Sequence, residues 1–108
     1  MTFAPRTWLL AVAILSACAP ASEEEIEAEF DDFVAGRNQC EVASECELAP
    51  AGCPLGCFVA VRREHVDAVS EKAQELIADY QSGGRSCAYR CAAVPPLECR
   101  MERCFAGP

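Results

Sequence analysis

The longest regular pattern of apolar and polar positions in the chain runs from about residue 62 to residue 81. Apolar side chains recur there every three or four residues, as on one face of an α-helix, at Val66, Val69, Ala73, Leu76, Ile77 and Tyr80. Gly83 and Gly84 follow, and glycine is common just beyond the C-terminus of a helix. The pattern therefore predicts one main helix over about 62–81.

A second, shorter helical pattern lies near the N-terminus, at about 23–35. Its apolar residues are spaced i, i+4, i+7 and i+8, at Ile26, Phe30, Phe33 and Val34. Ser22 and Glu25 have the spacing of a capping box, and Gly36 suits the C-terminal end of the helix. We expect an amphipathic helix whose apolar face packs on the domain or, as the less favoured alternative, on a partner.

Short apolar segments outside these helices predict β-structure. Residues 57–61 form a run suited to a buried strand, and residues 45–49 are a weaker candidate. Residues 97–101 and 103–106 are expected to pair as a terminal hairpin around Met101-Glu102, although this turn lacks the glycine usual in tight hairpins. The predicted fold is a small disulfide-rich α+β domain, with the main helix packed on a short antiparallel sheet or hairpin.

The first eighteen residues have the organisation of an export signal. An uninterrupted apolar run, Trp8–Leu15, follows a short start that carries one positive charge, Arg6. A helix needs about 20 apolar residues to cross a bilayer, so this run matches the apolar segment of a secretory signal peptide instead. A buried N-terminal core helix is less favoured, because small and helix-breaking residues follow directly.

The segment Leu15-Ser16-Ala17-Cys18 resembles the lipobox of bacterial lipoproteins, in which an aliphatic and two small residues precede a cysteine. The resemblance implies cleavage of a signal peptide comprising residues 1–17, lipidation of Cys18, and anchoring in the bacterial cell envelope. Ala19 follows the cysteine where an aspartate would mark inner-membrane retention in enterobacteria, so the resemblance points to the outer membrane. The alternative is an ordinary signal peptide, cut after Ala17 or Ala19, and a non-lipidated secreted protein.

Charge divides the remaining chain into two parts. The 108 residues carry 9 basic and 17 acidic side chains, a formal net charge of −8, which disfavours nucleic acid as a partner. Seven acidic and no basic residues fall between residues 18 and 36, whereas residues 37–108 are nearly neutral. We predict an acidic tether, residues 18–36, that contains the short helix and leads to a disulfide-rich domain, residues 37–108.

The eight cysteines of that domain are predicted to form disulfides, because an exported chain meets an oxidising compartment. Their spacings are C-x5-C, C-x3-C, C-x3-C and C-x4-C, at Cys40, Cys46, Cys53, Cys57, Cys87, Cys91, Cys99 and Cys104. The even number is suited to four bridges, and lipidation accounts for the ninth cysteine. Sequence leaves the connectivity open, although we expect the two C-x3-C groups to face each other across the ends of the main helix.

Metal binding and redox catalysis are not expected of these cysteines. Structural zinc sites favour C-x2-C pairs and often contain histidine, whereas this chain has no C-x2-C pair and one histidine. Thiol–disulfide catalysts generally place C-x-x-C on a thioredoxin-like frame, and neither feature occurs in the sequence. We predict no metal ligand and no cofactor.

The region from Cys40 to Cys104 resembles a class of small cysteine-rich lipoproteins of myxobacteria and their relatives. The resemblance rests on Cys40-x5-Cys46 with Glu45 before its second cysteine, Gly52-Cys53, an apolar strand, a helix ending near Tyr80, and Cys99-x4-Cys104. It implies no activity, because none is assigned to that class.

His65 is the one residue that invites a catalytic interpretation, and a solvated histidine is the favoured alternative. On a helix, Glu64 and Asp67 would point away from it, and no common hydrolase or phosphate-binding motif occurs. We expect no enzyme and no catalytic residue. A structural or partner-binding envelope protein is the favoured function, and a protease inhibitor acting through Arg85-Ser86 or the Pro50–Leu55 loop is the alternative.

Overall fold

A computed structural model describes residues 19–107 as a small α+β domain. The predicted signal peptide, residues 1–17, and the predicted lipid acceptor Cys18 lie outside the described residues. In chain order the elements are helix α1 (Glu23–Ala35), strand β1 (Cys46–Pro50), strand β2 (Phe58–Arg62), helix α2 (Val66–Gln81), strand β3 (Leu97–Arg100) and strand β4 (Arg103–Ala106). With its four disulfides this is the fold class that the sequence predicts. Within residues 19–107, no helix combines the length and the apolar character needed to cross a membrane.

Helix α1 begins at the predicted capping box. The Ser22 amide donates to Glu25 Oε1 at 2.8 Å, and the Glu25 amide donates to Ser22 Oγ at 3.2 Å. The first turn holds three acidic residues, which the positive end of the helix dipole stabilises. The apolar face of α1 is buried in the domain, at Ile26, Phe30 and Val34. The favoured alternative for this helix, packing on the domain, is therefore confirmed, while the boundary at residue 36 between tether and domain stays a prediction.

Helix α2 begins slightly later than the pattern predicts, because its entry is a 3-10 turn. Residues Arg63–His65 form that turn directly after β2, and the α-helix proper runs from Val66 to Gln81. Five residues of the predicted stripe are buried, namely Val69, Ala73, Leu76, Ile77 and Tyr80, and Val66 is half-buried. The helix ends before Gly84, whose φ of 83° is a conformation that glycine adopts without a steric cost.

The main hydrophobic core lies between the two helices and the ribbon formed by β1 and β2. Side chains from all four elements meet there, including Ile26, Phe30, Ala49, Val61, Val69 and Ala73. At the helix–helix contact, Lys72 Nζ lies 2.7 Å from Glu29 Oε2 and 3.5 Å from Glu75 Oε1. The hydrogen bond from the Lys72 ammonium to Glu29 raises the pKa of Lys72, since it favours the charged form.

The loop between β1 and β2 is held against helix α2. Ser70 Oγ donates to the carbonyl of Pro50 at 2.8 Å, and Gln74 Nε2 donates to the carbonyl of Ala51 at 3.0 Å. Gly52 has φ of 125°, and a Cβ at this position would lie 3.1 Å from Ile77 Cδ1. Both the backbone conformation and the close approach of α2 therefore require glycine here.

Strands β3 and β4 form the predicted terminal hairpin and cover a second, smaller core. Cys99 lies opposite Cys104 in the antiparallel register, and Gln39 pairs with Arg103 on the other edge of β4. The second core consists of Cys40, Cys46, Ala60 and Cys104, with Leu48, Leu97, Cys99 and Ala106 packed against it. Cysteine sulfurs thus make up much of the apolar material that joins the hairpin to the rest of the domain.

A candidate binding surface on the disulfide-braced hairpin

Four disulfides pair all eight cysteines between residues 40 and 104. The bridges are Cys40–Cys99, Cys46–Cys104, Cys53–Cys87 and Cys57–Cys91, with Cα–Cα distances of 6.1, 5.6, 5.6 and 5.8 Å. The two C-x3-C groups bond to each other from opposite ends of α2, as the spacing led us to expect. The other two bridges join the N-terminal part of the disulfide-rich domain to the terminal hairpin.

The hairpin turn at Met101-Glu102 holds two non-glycine residues in the left-handed region. The φ angles are 52° at Met101 and 65° at Glu102. Positive φ at both central residues is the signature of a type I′ turn, whose twist suits a two-residue hairpin. The tight turn forms even though the sequence lacks the usual glycine, because the flanking strands are fixed by other contacts.

Those contacts come from the segment that precedes β1. The Cys40 amide donates to the carbonyl of Glu102 at 3.0 Å, and the Cys104 amide donates to the carbonyl of Asn38 at 2.7 Å. The Arg103 guanidinium donates to Asn38 Oδ1 at 3.0 Å. Together with the bridges at residues 99 and 104, these hydrogen bonds give the turn a fixed position on the domain.

The outer side of the hairpin exposes apolar and cationic side chains together. Met101 at the tip is 94% exposed and Phe105 is 41% exposed. The Arg100 guanidinium lies over the Phe105 ring, 4.6 Å from its centroid, and Arg100 Nε is 2.8 Å from Glu98 Oε1. We name this set, Met101, Arg100 and Phe105, the hairpin patch. The sequence did not lead us to predict this patch. The one indication of it in the sequence is that the hairpin turn contains no glycine.

A polar cleft lies beside the hairpin patch, between the turn and strand β2. Its walls are formed by residues of three segments, Gln39, Cys40, Glu41, Glu45, Arg62, Met101, Glu102 and Arg103. Arg62 lines the cleft, with its Nη1 3.3 Å from the carbonyl of Gln39 and 3.6 Å from Glu45 Oε1. The cleft therefore carries charges of both signs and borders an exposed apolar side chain.

Glu45 organises the wall of this cleft through backbone hydrogen bonds. Its Oε1 accepts from the Glu41 amide at 2.7 Å and from the Val42 amide at 3.4 Å. These bonds, the one from Glu41 above all, lower the pKa of the Glu45 carboxyl because they favour its charged form. The acidic residue before Cys46, noted in the sequence, thus closes the turn that leads into β1.

The residues considered for catalysis and protease inhibition belong neither to the hairpin patch nor to the lining of the adjacent cleft. His65 is half-buried at the end of the 3-10 turn. Ala51 and Pro54 of the Pro50–Leu55 loop are buried. Arg85 is exposed, but its Nη1 donates to the carbonyl of Ala21 at 2.8 Å and its guanidinium lies 5.2 Å from the Tyr80 ring centroid.

No family model, no curated protein and no solved structure matches this chain, so the geometry of its own residues carries the functional proposals.

Proposed function

We propose that the chain is a lipid-anchored protein of the bacterial cell envelope, and that its disulfide-braced domain has a structural or partner-binding role. The observation that carries this proposal is the closed set of four disulfides among the eight cysteines from 40 to 104. Such bonds form and persist in oxidising compartments, including the periplasm and the cell surface. Since these eight cysteines are bonded to one another, Cys18 is the cysteine left for a lipid.

The position of the first described residues supports an anchor close to the domain. Pro20 packs on the turn after α2, where a Cβ on Gly83 would lie 3.0 Å from Pro20 Cγ. The carbonyl of Ala21 accepts the hydrogen bond from Arg85. Acyl chains on Cys18, each buried methylene contributing about 0.8 kcal/mol, would hold the domain directly at the membrane surface.

The hairpin patch is the surface that we propose for a protein partner. Methionine, arginine and aromatic residues are enriched at the centres of protein interfaces. The bridges at Cys99 and Cys104 fix the patch before binding, which reduces the entropy that association would otherwise cost. An exposed methionine on a rigid turn is suited to insertion into an apolar pocket of the partner.

Intact-mass measurement on protein extracted from membranes tests the anchor. The expected product starts at Cys18, carries acyl mass, and lacks the hydrogens lost on forming four disulfides. A soluble product that starts at Ala19 would contradict lipid anchoring and support the secreted alternative.

Site-specific photo-crosslinking in the intact envelope tests the partner-binding role. A crosslinker at Met101 should give one discrete heavier species, whereas the same group at Glu71, exposed on helix α2, should not. Equal labelling from both positions would argue against the hairpin patch. Stoichiometric inhibition of a trypsin-, subtilisin- or elastase-like protease would instead favour the inhibitor alternative.

A further inference from the structure

Two disulfides of the second core lie against each other, and their sulfurs form one cluster. The Sγ atoms of Cys40, Cys46 and Cys104 lie within 4.8 Å of one another, and all three residues are buried. The fourth sulfur belongs to Cys99, which is bonded to Cys40 and is half-buried. Among the described residues, this is the only place where three such ligand atoms meet at that distance.

The backbone also permits a second pairing of the same four cysteines. Cys99 and Cys104 are direct partners in the β3–β4 register, and the Cys104 amide bonds to Asn38 rather than to β3. Opposite residues that do not exchange hydrogen bonds have Cα atoms about 4.5 Å apart, which lies within the range of disulfides. The remaining two sulfurs, those of Cys40 and Cys46, already lie in the cluster.

We propose that these four cysteines form an exchangeable disulfide quartet, which a low-molecular-weight thiol converts from the pairing 40–99 and 46–104 to the pairing 40–46 and 99–104. This property is independent of the lipid anchor and of the partner-binding role. It makes Cys99 a site of reaction with external thiolates.

The exchange consumes neither oxidant nor reductant. The external thiolate attacks Cys99 Sγ, which forms a mixed disulfide there and releases the Cys40 thiolate. The Cys40 thiolate attacks Cys46 Sγ, which forms the 40–46 bond and releases the Cys104 thiolate. The Cys104 thiolate then attacks Cys99 Sγ, which forms the 99–104 bond and returns the external thiolate.

The first attack falls on Cys99 because it is the accessible member of the quartet. Cys40, Cys46 and Cys104 are 3%, 2% and 6% exposed, whereas Cys99 is half-buried. The thiolate released at Cys40 then lies beside the second disulfide, Cys46–Cys104. Its attack on that bond competes with its return to Cys99, which would restore the original bridge.

The exchange would change how the hairpin is held. In the observed pairing both bridges connect the hairpin to residues before β2. In the alternative pairing one bridge lies within the hairpin and the other within residues 40–46. The number of disulfides stays the same, but the hairpin is no longer joined by a disulfide to the rest of the domain.

Peptide mapping after treatment with glutathione tests the proposal. First, the free thiols of the full purified protein are alkylated, including that of Cys18 where it is not acylated. The protein is then exposed to glutathione, acid-quenched and digested at low pH with a glutamate-specific protease. Cleavage after Glu41, Glu45, Glu47, Glu98 and Glu102 separates the four cysteines of the quartet. We expect loss of the 40–99 and 46–104 linked peptides and matched appearance of 40–46 and 99–104 linked peptides, with no change in protein mass.

The other two disulfides provide an internal control. Cys53 and Cys57 fall on one digestion product and Cys87 and Cys91 on another, so these two peptides should stay linked to each other. In the double variant Cys46→Ala/Cys104→Ala the Cys40 thiolate has no neighbouring disulfide to attack and can only return to Cys99, so the 40–99 linked peptide should persist, in equilibrium with its glutathione adduct. The variant Cys57→Ser/Cys91→Ser should retain the exchange.

Two results would overturn the proposal. One is persistence of the native linked peptides in the wild type, with glutathione adducts or reduced cysteines as the only products. The other is equal rearrangement of the quartet and of the bridges at residues 53, 57, 87 and 91, which would indicate general scrambling through unfolding.

Discussion

Cys99 and Cys104 lie directly opposite each other in the terminal hairpin, yet each is bonded to a cysteine outside it. Cys99 joins the strand β3 to Cys40, and Cys104 joins β4 to Cys46 at the start of β1. The hairpin is therefore fastened through both of its strands, and its tip is presented from a fixed base. This arrangement has consequences for stability that can be measured.

Removal of these two bridges should destabilise the fold in a non-additive way. While Cys46–Cys104 is intact, Cys40–Cys99 closes a ring of only about 13 residues, so Cys40→Ala/Cys99→Ala should lower the free energy of unfolding by about 3 kcal/mol. Removal of the second bridge then opens a larger ring of about 26 residues, which is closed through Cys53–Cys87, and should cost about 3.5 kcal/mol more. Urea denaturation of the two double variants and the quadruple variant measures the difference. A second loss clearly smaller than the first would contradict the nested arrangement.

Helix α1 should be required for stability, because its apolar face belongs to the main core. Phe30 is 3% exposed between α1 and the rest of the domain, so Phe30→Ala should lower the free energy of unfolding by about 3–5 kcal/mol. The exposed first-turn substitution Glu24→Ala is the matched control and should change it by less than about 1 kcal/mol. Thermal or urea unfolding measures both variants. A Phe30→Ala protein as stable as its control would show that the acidic helix is a dispensable extension.

The hairpin turn should become more stable when its residues match its backbone conformation. Met101 and Glu102 have φ of 52° and 65°, and Asn-Gly is the favoured pair at these positions of a type I′ turn. The variant Met101→Asn/Glu102→Gly should therefore raise the free energy of unfolding by roughly 1 kcal/mol. Met101→Ala keeps the unfavourable conformation and should give no such gain. A loss of stability in the Asn-Gly variant would indicate that the turn does not have this geometry in solution.

The Glu45 carboxylate should stabilise the domain at neutral pH and lose that effect in acid. Its pKa is lowered in the folded state, so its contribution is complete above the ordinary value of 4.5 and disappears as the pH falls through the lower folded value. Glu45→Gln should be less stable than the wild type at pH 7, and the difference should shrink as the pH falls below 4.5. Urea denaturation over a pH series measures this trend.

The matched control for Glu45 is Glu47→Gln on strand β1. Glu47 pairs with Arg63 at the surface, with its Oε1 3.2 Å from Arg63 Nε, and no backbone amide within residues 19–107 donates to it. Glu45→Gln and Glu47→Gln each remove one negative charge. A comparable loss of stability at pH 7 in both variants would therefore contradict a stabilising role of the backbone hydrogen bonds to Glu45.

Local patterns predicted most elements of this fold. The 3–4 spacing of apolar residues located both helices, and Ser22 and Glu25 located the start of α1, since capping depends on residues within one turn. The segments predicted as strands lie within one residue of β1, β2 and the two strands of the hairpin. The 3-10 turn before α2 was missed because periodicity over so few residues does not separate it from an α-helix.

By itself, then, the sequence determined which segments are helical or extended, that eight cysteines are available for four bridges, and that the two C-x3-C groups flank one helix. Only the tertiary structure decided that Cys40 bonds to Cys99 and Cys46 to Cys104, that their sulfurs share one cluster, and that Met101 projects from a fixed turn. The physical reason is the separation along the sequence between the residues that interact. Helix periodicity, capping and turn formation depend on neighbours within a few residues, whereas these contacts join positions 58 and 59 residues apart and exist only once the hairpin has packed on the domain.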